Sequence, residues 1–144
     1  MKTSPLLRMA ALALGLGALP LVATRAFAAI DAADPTTDHL WSPIKDDAYE
    51  QRAHFADGAR KLLLRLDSQI GELRAKRAAM TTDTKDWDFA MKEVDDSRVM
   101  LAGSMNDLAQ ATTPDVWTDC RDKVGVAWRR SQAAVDKMNS TRTS

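Results

Sequence analysis

Apolar residues recur along the chain with a helical period rather than a strand-like alternation. Ser42 and Pro43 precede the first apolar stripe, and they form a helix-start signal because serine caps helices and proline fits the first helical position. Measured at about 100° per residue from Leu66, the stripe stays within about 60° of one line. It therefore predicts a long first helix over residues 42–80, and its other apolar members are Ile44, Ala48, Phe55, Ala59, Leu62, Leu63, Ile70, Leu73 and Met80.

Two more stripes follow, each after a short turn-forming stretch, "TTDTKD" at 81–86 and "ATTP" at 111–114. The second helix is predicted over 84–111, where Arg98 stands in the place of a missing apolar residue in a heptad pattern. The third is predicted over 114–139, starting at Pro114. The stripe of the second helix comprises Trp87, Met91, Val94, Leu101, Met105 and Leu108, and that of the third comprises Trp117, Cys120, Val124, Trp128, Ser131, Val135 and Met138.

Short turns between helices predict neighbours that run in opposite directions. The fold class is therefore predicted to be all-α, an antiparallel up-down-up three-helix bundle with coiled-coil-like packing and a long first helix. The turns also predict the register. Facing residues of the first two helices have numbers that sum to about 165, which places Arg98 beside Asp67, and those of the second and third helices sum to about 225, which places Arg98 against Trp128. Because the first helix is the longest, Ile44 and Ala48 are predicted to overhang the bundle.

The N-terminal residues have the features of an export signal. Lys2 and Arg8 precede an apolar run at 9–22, and Ala26 and Ala28 give the small-x-small pattern of a cleavage site. We expect a signal peptide at 1–28, Sec-type cleavage near Ala28 and a periplasmic or secreted product with no remaining transmembrane segment. A flexible leader at 29–41, ending at an exposed Trp41, and a disordered tail at 140–144 complete the predicted organisation.

Composition and charge exclude several function classes. The chain has 20 basic and 20 acidic residues, and three of the basic ones precede the expected cut, so the remaining 116 residues carry a net charge of −3. A mildly acidic exported chain is a poor candidate for nucleic-acid binding. His39 and His54 are the only histidines and have no cysteine nearby, so no metal site and no cofactor is predicted.

No catalytic pattern is recognisable, so the protein is predicted not to be an enzyme. The chain lacks G-x-S-x-G, P-loop, H-E-x-x-H and C-x-x-C-H sequences. Cys120 is the single cysteine and occupies a stripe position, which favours a buried core thiol. An interchain disulfide and a reactive thiol are the alternatives that the sequence leaves open.

These observations predict an exported, non-enzymatic helical-bundle protein of a bacterial-type cell envelope, acting as a protein-interaction or structural module. Its partner would be a second copy or another envelope protein, and the predicted partner surface comprises Ile44, Ala48, Phe89 and Met100. The alternative is an amphipathic, apolipoprotein-like protein that lays its apolar stripes on a lipid surface. The predicted structural core comprises Leu66, Trp87, Arg98, Trp117, Cys120 and Trp128.

Overall fold

The computed structural model describes residues 39–140. The expected signal peptide, most of the leader and residues 141–144 of the tail lie outside the described residues. Within the described part, 84% of the residues are helical and no strand occurs. The protein is therefore all-helical, as the period of the apolar residues predicts.

A short 3-10 helix and three long helices pack together. The 3-10 helix is Tyr49–Gln51, α1 is Arg52–Ala78, α2 is Lys85–Gln110 and α3 is Pro114–Ser140. The bounds of α2 and α3 lie within one residue of the predicted ones. Pro114 begins α3 as expected, and the hydroxyl of Thr113 accepts a hydrogen bond from the amide of Val116 at 3.4 Å, as a capping residue does.

The predicted start of the first helix at Ser42 is wrong, and so is the prediction that this helix is unusually long. Residues 42–46 form turns instead, in which Trp41 O accepts hydrogen bonds from the amides of Ile44 and Lys45 at 3.1 and 3.0 Å. Ala48 is extended, with φ −87° and ψ 171°. A continuous helix would have carried Ile44 beyond the bundle, whereas the fold-back places it in the core, where burial of its apolar surface stabilises the fold.

The interior is lined by the predicted stripes. Leu66, Trp117, Cys120 and Trp128 are all buried. Trp87 is only half-buried, although its indole Nε1 is a buried donor without a hydrogen-bond partner. The helices thus bury one face each, which is the arrangement that amphipathic helices need in order to hide their apolar surface from water.

A layer of polar side chains crosses this core, and of its members the apolar stripes predict only Ser131. Gln69 of α1 and Gln132 of α3 are both buried, and their side-chain amides form a reciprocal pair with N–O distances of 3.0 and 3.1 Å. Ser97 and Ser131 are also buried and donate to the carbonyls of Val94 and Trp128 in their own helices. Every one of these polar groups therefore has a partner, which is what makes their burial tolerable.

Contacts between the helices follow a regular numbering. Between α1 and α2, Arg77 pairs with Asp88 and Arg98 with Asp67, and both pairs have numbers that sum to 165, as the turn positions predict. Between α1 and α3, Gln69–Gln132 and Lys76–Asn139 both differ by 63. A further α1–α2 pair, Arg74–Asp95, sums to 169, which is one helical turn away. The register of α1 against α2 is therefore kept to within one turn.

Two helix glycines lie under residues 41–47, and two others do not. A Cβ atom at Gly125 would lie 2.5 Å from Cζ2 of Trp41, and one at Gly58 would lie 2.5 Å from Cγ2 of Ile44. Nothing lies within 4 Å of a Cβ placed at Gly71 or Gly103. The absence of a side chain at Gly58 and Gly125 therefore opens two notches for the N-terminal segment, whereas Gly71 and Gly103 have no such role.

Replacement of a helix glycine by alanine is predicted to change the free energy of unfolding in opposite directions, depending on whether the N-terminal segment covers that glycine. Alanine at Gly71 or Gly103 should raise the free energy of unfolding by about 0.5–1 kcal/mol, because alanine favours a helix interior over glycine. Alanine at Gly125 should lower it, because the rigid ring of Trp41 must move. Urea denaturation of the single variants measures both effects. A stabilised Gly125→Ala variant would contradict the packing of Trp41 described above.

Candidate functional site

The four residues of the predicted partner surface do not lie together. Phe89 and Met100 are exposed on α2, by 79% and 41%. Ala48 is exposed, but Ile44 retains only 2% of its accessible surface, so its assignment to an exposed surface is wrong. Ile44 packs against Gly58 near the start of α1, whereas Phe89 follows Asp88, which pairs with Arg77 at the end of that helix. Gly58 and Arg77 are roughly 28 Å apart along the helix axis.

Met100 instead borders a groove with residues of α3. This groove, the Met100–Val126 groove, has a volume of about 470 Å³ and is lined by Met100, Ser104, Asp119, Asp122, Lys123 and Val126. Val126 is 53% exposed. Two apolar side chains from neighbouring helices therefore face solvent in one concavity, and the exposed apolar surface of α2 continues onto α3.

Charges of both signs surround the Met100–Val126 groove. Asp119, Asp122 and Lys123 lie on its α3 side, and Lys92 pairs with Asp96 at 2.7 Å on the exposed face of α2. Asp122 is further paired with Arg121 at 3.0 Å. Mixed charges give no strong field of one sign, so the groove suits an apolar side chain with neutral or mixed-charge neighbours better than a multiply charged anion.

A second feature, the strap, comprises residues 41–47. Its indole, Trp41, meets Phe55 of α1 edge-on with 6.1 Å between ring centroids and covers Gly125 of α3. Three residues later, Ile44 covers Gly58 of α1. The strap thus lies across the cleft between α1 and α3, and the prediction that Trp41 is exposed is wrong.

Polar contacts hold the end of the strap. The carboxylate of Asp47 is buried and lies 2.7 Å from Nδ1 of His54, and Arg121 of α3 donates to the carbonyl oxygen of Asp47 at 2.8 Å. The Arg121 guanidinium also lies over the ring of Trp117, 5.9 Å from its centroid. The anchoring residues have the spacing W-x-x-I-x-x-D, in the same stretch whose Ser42 and Pro43 predict a helix start.

The cleft between α1 and α2 carries two ion pairs. Arg74 lies 3.1 Å from Asp95, and Arg98 makes two hydrogen bonds to Asp67 at 2.5 and 3.1 Å. Asp67 is the partner predicted from the turns. The predicted contact of Arg98 with Trp128 is not formed. The guanidinium–ring contacts in residues 39–140 join Arg52 to Tyr49 and Arg121 to Trp117.

Arg98 is expected to contribute little to stability. Its side chain and that of Asp67 are each about 40% exposed, so water screens their attraction. Arg98→Leu should therefore leave the free energy of unfolding within about 1 kcal/mol of the wild-type value, or raise it slightly, as replacement of a polar group at a packing seam can do. Urea denaturation tests this, and a loss above about 2 kcal/mol would mean that Arg98 holds the helices together.

A third ion pair joins the ends of α1 and α2. The hydrogen bond from Arg77 holds the pKa of the Asp88 carboxyl below its ordinary value, against a smaller opposing effect of burial. A lowered pKa in the folded state means that this pair stabilises the fold above the pKa of an unfolded aspartate. That contribution is lost as the pH falls through the lowered pKa. The pair thus adds to stability at neutral pH without forming a site.

Neither a metal centre nor a thiol site is assembled in the part of the chain that the structure describes. No group of three His, Cys, Asp or Glu side chains converges among residues 39–140. Among residues 39–140, His54 pairs with one acidic residue, Asp47, and Cys120 is free and buried. In the same range, no helix has the length and apolar character to cross a membrane.

Comparison with known proteins gives no functional information, so the Met100–Val126 groove and the strap are the basis of the functional assignment. No family model, no curated protein and no solved structure matches this chain.

Proposed function

We propose that this chain is an exported, non-enzymatic helical protein of the cell envelope that associates with a second copy of itself or with another envelope protein. The observation that carries the proposal is the exposure of three apolar side chains, Phe89 and Met100 on α2 and Val126 on α3, which we call the apolar strip. Met100 and Val126 share one groove, and Phe89 lies three turns from Met100 on α2. None of these three side chains belongs to the buried core. Exposed apolar surface that folding does not use is typical of a contact surface.

The same proposal includes the arrangement of the long helices. An up-down-up bundle is supported by the nearly constant sums of contact pairs between α1 and α2, 165 to 169, and by the constant difference of 63 between α1 and α3. Constant sums fit neighbours that run in opposite directions, and constant differences fit helices that run in the same direction. In this arrangement α2 and α3 present one continuous outer surface, on which the apolar strip lies.

Light scattering coupled to size exclusion tests the association. The mature protein is expected to increase in apparent mass with concentration, whereas the double variant Phe89→Ser, Met100→Ser should remain a monomer because its strip has lost two apolar side chains. Leu64→Ser is the matched control, because Leu64 is 68% exposed on α1 and lies outside the strip. A monomeric wild type at all concentrations, with the same crosslinked envelope proteins as the double variant, would end the proposal.

Export is tested separately by mass spectrometry of the protein recovered outside the cytoplasm. Cleavage near Ala28 should leave a chain that begins at or close to Ala29, because Ala26 and Ala28 supply the small residues of the cleavage site. Recovery of a chain that retains Met1 or Lys2 would contradict this part of the proposal.

Binding to a lipid surface is the alternative. The apolar stripes of α1, α2 and α3 face the core, so they reach lipid only if the helices separate. Thermal melting followed by circular dichroism, with and without anionic vesicles, distinguishes the two functions. A cooperative melt that vesicles leave unchanged supports protein association, and a helical signal that loses its cooperative melt with vesicles supports lipid binding.

A further inference from the structure

The strap is built like a bound peptide ligand. Its backbone hydrogen bonds are local: the amides of Ile44 and Lys45 donate to Trp41 O, and the amide of Asp47 donates to Ile44 O. Its contacts with α1 and α3 are made chiefly by side chains, and the one backbone contact described above is the Arg121–Asp47 hydrogen bond. A segment that carries its own turns and docks through side chains needs no covalent connection in order to fit.

The surface of α1 and α3 beneath the strap has one contact site for each of three strap residues, which are spaced three residues apart in the chain. The Gly125 notch takes the Trp41 ring, the Gly58 notch takes Ile44, and the His54 imidazole meets the Asp47 carboxylate. Apolar anchors in preformed notches, together with one polar contact to a buried carboxylate, are the features by which proteins recognise short peptides. The strap groove, as we call the cleft between α1 and α3 that holds these contacts, therefore has the chemistry of a peptide-binding site.

The connection to the bundle allows the strap to leave the groove. Ala48, immediately after Asp47, is extended and follows a non-helical residue, and Tyr49 then begins the 3-10 helix that leads into α1. Rotation at Asp47 and Ala48 would move the strap away while α1 keeps its helical hydrogen bonds. Elements joined through such a short non-helical hinge are the ones that exchange between copies, because every contact can re-form with a second molecule.

We propose that the strap groove is a peptide-binding site, that the chain's own strap occupies it in the closed molecule, and that the strap of a second copy binds it in trans. This inference rests on the proposed function in one respect, since it names a second copy as the partner. It assigns the contact to a different surface from Phe89 and Met100. In the closed molecule the tethered strap has a high effective concentration, so binding in trans is favoured when the groove of one copy is empty.

Two variants make the exchange visible. The acceptor carries Trp41→Ala and Ile44→Ala, which leave its groove open and remove the anchors of its strap. The donor carries Gly58→Ala and Gly125→Ala, which fill both notches and leave its strap intact. Alanine favours the helix at both donor positions, so α1 and α3 of the donor remain helical, and circular dichroism verifies this for both variants.

The expected result is a 1:1 complex of donor and acceptor in light scattering, absent from either variant alone. The matched control is a donor that also carries Trp41→Ala and Ile44→Ala, which should lose the complex. Wild-type protein is a second receptor for the strap, and it carries no substitution that could disturb its fold. Because its own strap competes, it should bind a labelled peptide of residues 39–51 at least ten-fold more weakly than the acceptor does. Failure of donor and peptide to bind either receptor would overturn the proposal.

A repeat of the mixing experiment with Phe89→Ser and Met100→Ser in both chains separates the two surfaces. A complex that persists in this background assigns the contact to the strap groove. This conclusion holds even if the apolar strip of the wild-type protein does not mediate association. A complex that disappears in this background, with helical content unchanged, would overturn the strap assignment and return the contact to the Phe89–Met100 surface.

Discussion

Replacement of Trp117 by alanine is expected to lower the free energy of unfolding by about 3–5 kcal/mol. Trp117 is 1% exposed and meets the rings of Phe55 and Tyr49 edge-on, with centroids 5.5 and 6.2 Å away. Truncation leaves a large cavity between α1, α3 and the 3-10 helix, and helices that are fixed by their other contacts close it only in part. The loss combines the transfer energy of an indole with the cost of that cavity.

Urea denaturation followed by circular dichroism measures this change, since fluorescence would be altered by the loss of a tryptophan. Phe89→Ala is the matched control, because its aromatic ring is exposed and its removal should change stability by about 0.5 kcal/mol at most. Equal losses in the two variants would show that Trp117 does not lie in the core.

Gln132→Leu is expected to lower the free energy of unfolding by about 1–3 kcal/mol. The leucine fills most of the same space, but the side-chain amide of Gln69 then remains buried without its reciprocal partner. The double variant Gln69→Leu, Gln132→Leu removes both polar groups and should recover most or all of the loss, since a well-packed apolar pair has no desolvation to offset.

A double-mutant cycle across Gln69 and Gln132 checks this prediction by urea denaturation. The coupling between the two substitutions should be favourable, with the double variant more stable than the sum of the single losses. A double variant that loses as much as both single variants together would show no coupling between the two side chains and would contradict their reciprocal pairing. The recovered double variant should also be less strict in register, because apolar layers tolerate sliding better than a paired polar layer.

Local sequence is sufficient for α2 and α3 because their boundaries coincide with turn-forming residues. The stretch before Pro114 ends one helix and caps the next. Between these signals each apolar stripe continues, with Arg98 in α2 and Ser131 in α3 each in the place of an apolar residue. The pairing of Arg98 with Asp67 also follows from sequence, because the short turn between α1 and α2 restricts how these two helices align. Each of these features depends on residues that are close in the chain or related through one turn.

Local sequence also identified the exposure of Phe89 and Met100, because both lie away from the stripe of α2. It did not join Met100 to Val126. That groove needs the relative rotation of α2 and α3, which depends on the packing of every side chain between them. A helical pattern shows which face of one helix is apolar, but it does not show which exposed residues of two helices become neighbours.

The start of the first helix shows where local signals stop being decisive. Ser42 and Pro43 are good helix-start residues, yet contacts far along the chain override them: Trp41 covers Gly125, and the carbonyl of Asp47 accepts a hydrogen bond from Arg121. The reciprocal pairing of Gln69 with Gln132 is equally invisible in the sequence, because a lone glutamine on a helix reads as a surface residue. Helix identity and apolar faces follow from the spacing of neighbouring residues, whereas the strap and the polar layer exist because packing α1 against α3 brings together groups that are 63 or more residues apart.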